Sequence, residues 1–193
     1  MIENSIGGGK MTNMIKTVQN PRLILLDCRN SHKLAEIISD VLNFCSFNTC
    51  IDDFTQVTDF IIENADSGTY CPENVIADTV LFDENSKMTR DKISTFREGV
   101  TSYENAMSFF GNDGEGIMTY SSDNYGADVA SRNYTEKGGT VSFELVGGGI
   151  LSRVNIINGK YTVDEILACT GVLLAAGMPL ASVLSFFEYE EGR

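Results

Sequence analysis

The stretch GKYTVDEILACTGVLLAAGMPLASVLSFFEYEEGR, residues 159–193, carries no charge from Ile166 to Phe187. A run of that length could cross a bilayer. Gly177-Met178-Pro179 interrupts it, however, and each half keeps a helical rhythm. Val163, Ile166, Leu167, Thr170 and Leu174 fall on one face, and Leu180, Val183, Leu184 and Phe187 on another. Proline cannot continue a helix, so the stretch predicts two buried helices meeting at Gly-Met-Pro, with no membrane span. Thr162 and Glu165 stand as T-x-x-E at the start of the first helix, the pattern of a capping box.

Upstream of this pair the pattern is alternation. ADVASRNYT begins at 127, TVSFELV follows the Lys137-Gly138-Gly139 turn, and ILSRVNII comes next. In TVSFELV, Val141, Phe143 and Leu145 point one way and Ser142 and Glu144 the other, as in an antiparallel ribbon with one wet face. Further upstream the strands are continuously apolar: RLILLD (22–27), DFIIE (59–63), VIADTVLF (75–82) and GIMTYS (116–121). Such strands are covered on both faces. A helix is predicted at about 32–44, with Leu34, Ile37, Ile38, Val41 and Leu42 on one face and Ser31 or Asn30 as cap. EGVTSYENAMSFF reads as a further helix with Val100, Tyr103, Met107 and Phe110 aligned. Parallel-type strands with helices, then a ribbon, predict a three-layer α/β domain over 21–193, preceded by a Gly-rich leader at 1–20 in which Met14, Ile15 and Val18 could form a short docking segment.

Composition bounds the function. The chain has 193 residues, 42% of them hydrophobic, which suits one globular domain. Its net charge of −13, with Lys and Arg scattered singly, argues against nucleic acid and anionic membrane surfaces as partners. Five cysteines (Cys28, Cys45, Cys50, Cys71, Cys169) form no CxxC pair, and His32 is the one histidine, so free thiols in a reducing cytoplasm are expected over a zinc site. His32 near Cys28 is a weak pattern for an activated thiol.

SIGGGKMT, residues 5–12, has the glycines and lysine of a phosphate loop, making Lys10 a candidate phosphate-binding residue. Yet Asn4 takes the place of the first glycine, Met11 follows the lysine, and the strand and helix a phosphate loop requires occur later, at 22–44. The latter context, DCRNSHK, contains no glycine.

Taken in order, these segments resemble the central domain of the Mur ligases, which use ATP to join amino acids to the UDP-MurNAc peptide precursor of peptidoglycan. Residues 159–193 resemble that family's G-x-F-N-x-x-N-A-L-A-A helix, G-I/M-P-L turn and F-x-x-x-x-G-R terminus. ADVASRNYTEKGGTVSFELV resembles the preceding ribbon, MTRDKISTFREGVTSYENAMSFF the T-R-D-H segment and its helix, and LLDCRNSHKLAEIISDVL the phosphate-loop region. The likeness implies a mostly parallel sheet of P-loop type flanked by helices, with an antiparallel ribbon. It leaves no counterpart for the family's front and rear domains.

Position by position, the resemblance implies lost chemistry. Ser31 and His32 stand near the phosphate-loop Lys and Thr, leaving Lys33 as a second candidate nucleotide-binding residue. Glu63 is the candidate metal ligand, but Lys92 replaces the family's histidine beside it. Met107, expected as a core filler, replaces the carbamylated lysine, and Glu165 the adenine-reading asparagine. Asp83 and Glu84 lie near the next strand end as further carboxylates. The expectation is a cytoplasmic, non-catalytic Mur-ligase-like domain without catalytic residues or cofactor, acting through a protein partner or as a homo-oligomer. The alternative is an ATP- and Mg²⁺-binding fragment of a carboxylate–amine ligase using Lys10, Lys33 and Glu63.

Overall fold

The computed structural model of the chain describes residues 20–65, 76–84, 86, 96–111, 116–157 and 159–191, the last three as backbone. The leader with Lys10, the TRDK segment with Lys92, and Cys71 lie outside the described residues. The first strand, β1 (Arg22–Asp27), shows why its sequence is continuously apolar. Ile24 and Leu26 pack into the larger core, while Leu23 belongs to a second, smaller core on the opposite face of the sheet. A strand between two layers has no wet face, so no alternation survives.

After β1 come α1 (Ser31–Phe44), β2 (Thr49–Ile51), β3 (Phe60–Asn64), β4 (Ala77–Phe82), β5 (Phe96–Ser102), α2 (Tyr103–Phe110) and β6 (Ile117–Ser121). Then follow β7 (Val129–Lys137), β8 (Thr140–Gly147), β9 (Ile150–Ile157), α3 (Val163–Ala175) and α4 (Leu180–Glu191). Among the described residues these strands form one sheet in the order β2-β3-β1-β4-β5-β6-β7-β8-β9. β1 to β7 run parallel; β8 pairs antiparallel with both β7 and β9. The expected mixed α/β architecture is present, and in β8 Val141, Phe143 and Leu145 are buried on alternate positions as their spacing predicts.

Three local expectations need correction. The helix drawn through Val100 is a strand up to Ser102, because Gly99-Val100-Thr101 is wedged between β4 and β6. A Cβ on Gly99 would meet Ile117 Cδ1 at 2.6 Å, and Thr101 Oγ1 donates to the Phe82 carbonyl at 2.7 Å. Only then does α2 begin, capped by the Ser102 hydroxyl on the Asn105 N–H, and Met107 lies on its exposed side instead of filling the core. At α1, Asn30 holds the cap position but makes no side-chain cap bond, since its φ of 58° is left-handed instead of extended. Ser31 turns instead to Asn64 Oδ1, at 2.6 Å. Finally, β2 was not foreseen, being three residues long and too short to show a period.

The closing helices form as the sequence implied. Thr162 and Glu165 make both bonds of the capping box. At the other end Met178 N–H donates to Leu173 O at 2.8 Å and Gly177 N–H to Leu174 O at 2.9 Å, a Schellman close with Gly177 at φ 83°. Arg22 donates to Ala176 O at 2.6 Å, tying the start of β1 to the negative end of α3. Among the described residues no helix is long and apolar enough to cross a membrane.

Two substitutions test this packing by urea unfolding. Phe143→Ala empties a fully buried ring site and should cost about 3–5 kcal/mol. Gly177→Ala forces a β-carbon into left-handed backbone and should cost about 1–2 kcal/mol; an unchanged midpoint would mean that the turn is not built as described.

Candidate functional site

In open α/β sheets, ligands bind outside the carboxyl ends of the strands. A cleft of about 320 Å³ lies there in this protein. Its walls come from Cys28 and Arg29 after β1, Asp83 and Glu84 after β4, Ser102, Glu104 and Asn105 around the start of α2, Tyr120 to Asp123 at the end of β6, and Asp164 of α3. Among the described residues, the lining holds five carboxylates (Asp83, Glu84, Glu104, Asp123 and Asp164) and one Lys or Arg, Arg29.

The turn from β1 into α1 is three residues long, Cys28-Arg29-Asn30. A phosphate-binding loop at this place needs several successive amides directed at the anion, usually with glycine to allow the backbone path. Here the Arg29 N–H is given to Asp83 Oδ2 at 2.8 Å. The Arg29 guanidinium lies 3.2 Å from Glu84, an exposed pair of small energetic weight. One turn into α1, Lys33 Nζ sits 2.7 Å from Glu165 Oε2, and that same oxygen accepts the Thr162 N–H at 2.9 Å. The carboxylate of the capping box is therefore also the ion-pair partner of Lys33.

Glu104 and Glu84 are also held by neighbouring side chains. Glu104 Oε1 accepts from Ser121 Oγ at 3.1 Å, and Glu84 Oε2 from Asn105 Nδ2 at 3.3 Å. Ser121 Oγ accepts the Asp123 and Asn124 amides at 3.2 and 3.0 Å, ordering the loop after β6. Burial pushes the Tyr120 phenol well above its usual range, and nearby Cys28, Asp164 and Asp83 add to the effect. Burial does the same to the Cys169 thiol, with Glu165 adding to it.

The candidates named from sequence are placed as follows. Lys33 is on α1 and turned to Glu165. Glu63 is buried in β3, opposite Leu25 of β1, away from the walls of the cleft. Among the described residues no group of three or more His, Cys, Asp or Glu is arranged to hold a metal ion. His32 pairs with Glu36 at 3.4 Å on the surface of α1. Asp83 and Glu84, noted in sequence as strand-end carboxylates, are in the cleft; Arg29, Glu104, Tyr120, Asp123 and Asp164 were not singled out. Their common signal is position, since each lies at or just beyond a strand's carboxyl end or at a helix start facing it.

No family model matches this chain, and no curated protein matches it by sequence. Solved structures match it by fold. UDP-N-acetylmuramoyl-L-alanyl-D-glutamate–2,6-diaminopimelate ligase superposes with a TM-score of 0.67 at 13% identity, over 90% of this chain and 47% of that one. The MurF ligase from Thermotoga maritima, solved in complex with ADP, gives 0.61 at 11%, over 86% of this chain and 48% of the ligase. Folylpolyglutamate synthetase from Lactobacillus casei gives 0.57 at 10%, over 88% and 62%. The chain spans about half the length of the first two, and it has the mixed α/β fold of the Mur ligase central domain.

Proposed function

We propose that this chain is a Mur-ligase-fold domain without ligase chemistry of its own, acting through protein contacts in cell-wall precursor synthesis. The observation that carries the reading is the turn Cys28-Arg29-Asn30. Its Arg29 amide is satisfied by Asp83, and Lys33, one turn into α1, by Glu165. An incoming polyphosphate would have to displace carboxylates already in place and enter a cleft whose described lining holds five acidic side chains and one arginine. Coulomb repulsion and the short turn act in the same direction, and both disfavour polyphosphate at the turn after β1. The cell-wall connection rests on the fold likeness to peptidoglycan ligases.

The test is a titration of the full chain with ATP and ADP, with and without Mg²⁺, followed by calorimetry and melting temperature. A ligand at about 100 times its Kd adds about 2.7 kcal/mol to stability. The expected result is no heat and no melting shift at millimolar nucleotide. A clear shift that Lys10→Ala abolishes would establish the ATP-binding fragment instead.

The buried side of the same cleft gives a second check. Tyr120 is protonated in the folded state, and its ordinary value of 10.0 applies once the chain unfolds. A group raised on folding contributes stability that is complete below the unfolded value and lost as pH climbs above it. Stability should therefore fall on going from about pH 8 to about pH 11, and Tyr120→Phe should make that fall shallower. Urea midpoints at the two pH values measure it; identical slopes for both proteins would remove Tyr120 as a contributor.

A further inference from the structure

We propose that the outer edge of β9 is a self-association surface, on which β9 of a second copy pairs antiparallel about a two-fold axis through Val154. β9 is one edge of the sheet, and among the described residues no strand covers its outer side. The other edge, β2, is three residues long, whereas β9 has eight. Exposed edges are ordinarily blunted by proline, a bulge, charged side chains (lysine above all) or a very short strand, and of these β9 carries a single charge, Arg153. β9 (ILSRVNII) has no proline, glycine or lysine, and its register with β8 runs unbroken from Ile150 to Ile157. By contrast, the interior pair β7–β8 carries an irregularity between Arg132 and Thr135.

The strand is also self-complementary. Val154 and Ile156 face the core side, where α4 packs on β9. By alternation Leu151, Arg153, Asn155 and Ile157 face the other side, and Leu151 and Ile157 are 56% and 49% exposed, large values for such side chains in a strand. Residues opposite each other in an antiparallel pair share a face. With the two-fold axis at Val154, Leu151 meets Ile157 of the second copy at both ends, and Arg153 meets Asn155 twice in the centre. Moving the axis to Arg153 would set the two arginines against each other. Moving it to Asn155 would carry Leu151 beyond the end of the strand. One register thus covers the two exposed apolar residues of this face without opposing like charges; Ile150, 48% exposed at the hairpin end, lies outside the paired length. This surface supplies a partner for the contact role proposed above. Its test is independent of nucleotide, so either reading can fail alone.

Sedimentation equilibrium of the full chain over a range of concentrations should show a monomer–dimer equilibrium that tightens with salt, because each copy carries a net charge of −13. Leu151→Lys with Ile157→Lys should leave the fold intact by circular dichroism and abolish the dimer. Leu151→Lys with Ile157→Glu should restore it, since Lys then opposes Glu at both ends. Asn155→Asp makes the chain more acidic yet places a carboxylate opposite Arg153 twice, and should tighten the dimer about three- to tenfold. A monomer at every concentration, a dimer unchanged by the double-lysine variant, or a dimer weakened by Asn155→Asp would each overturn the proposal.

Discussion

The burial of α3 against both halves of the sheet is the constraint on which the rest depends. Every residue from Ile166 to Leu173 is buried, and the helix touches β4, β5, β6 and β7 as well as α1 and α4. It therefore joins the parallel strands to the ribbon in one core. Gly171 lets the helix approach closely, since a Cβ there would meet Val100 Cγ1 at 3.1 Å. Thr162 and Gly177 fix its two ends and Arg22 anchors its carboxyl end to β1, so its position along its own axis is set as well.

That placement also decides what reaches the cleft. The first turn of α3 brings Asp164 to the cleft wall and Glu165 to Lys33, both consequences of where the capping box begins. A helix N-terminus attracts anions through its free amides and dipole. In the turn just before α1, the Arg29 amide is already given to Asp83 from within the chain. These contacts tie the turn after β1 to the end of β4, and α1 to α3.

The fold was legible where burial imposes a period long enough to count. β8 showed its alternation over eight residues, and α3 and α4 showed theirs on either side of Gly-Met-Pro. It failed where two elements abut without a break. Gly99-Val100-Thr101 runs straight into α2, and nothing local separates strand from helix; the separation comes from β4 and β6 on either side. Asn30 looked like a cap because its side chain is right for one, yet its left-handed backbone turns that side chain away. The cleft was half legible. Strand-end carboxylates can be counted in a sequence, but the partnership of Lys33 with Glu165 joins residues far apart in the chain and depends on how α1 and α3 pack.

Fold and chemistry reside in different residues, which is why one can persist without the other. The core positions of β1, α1, β8 and α3 are almost fully excluded from water, and emptying one large site there removes a sizeable part of a typical domain's stability. In the turn after β1, Cys28 still packs on the core, but Arg29 is under no such demand. Arg29 and Glu84 are 69% and 56% exposed at the side chain, and a pair of that kind contributes about 0–1 kcal/mol. Substitutions at Arg29 should thus cost the sheet little, provided Ser31 can still begin α1. The energetic demands of the core preserve the strand order, while the short, exposed turn is free to carry phosphate-binding glycines or, as here, an arginine whose amide is held by the protein's own aspartate.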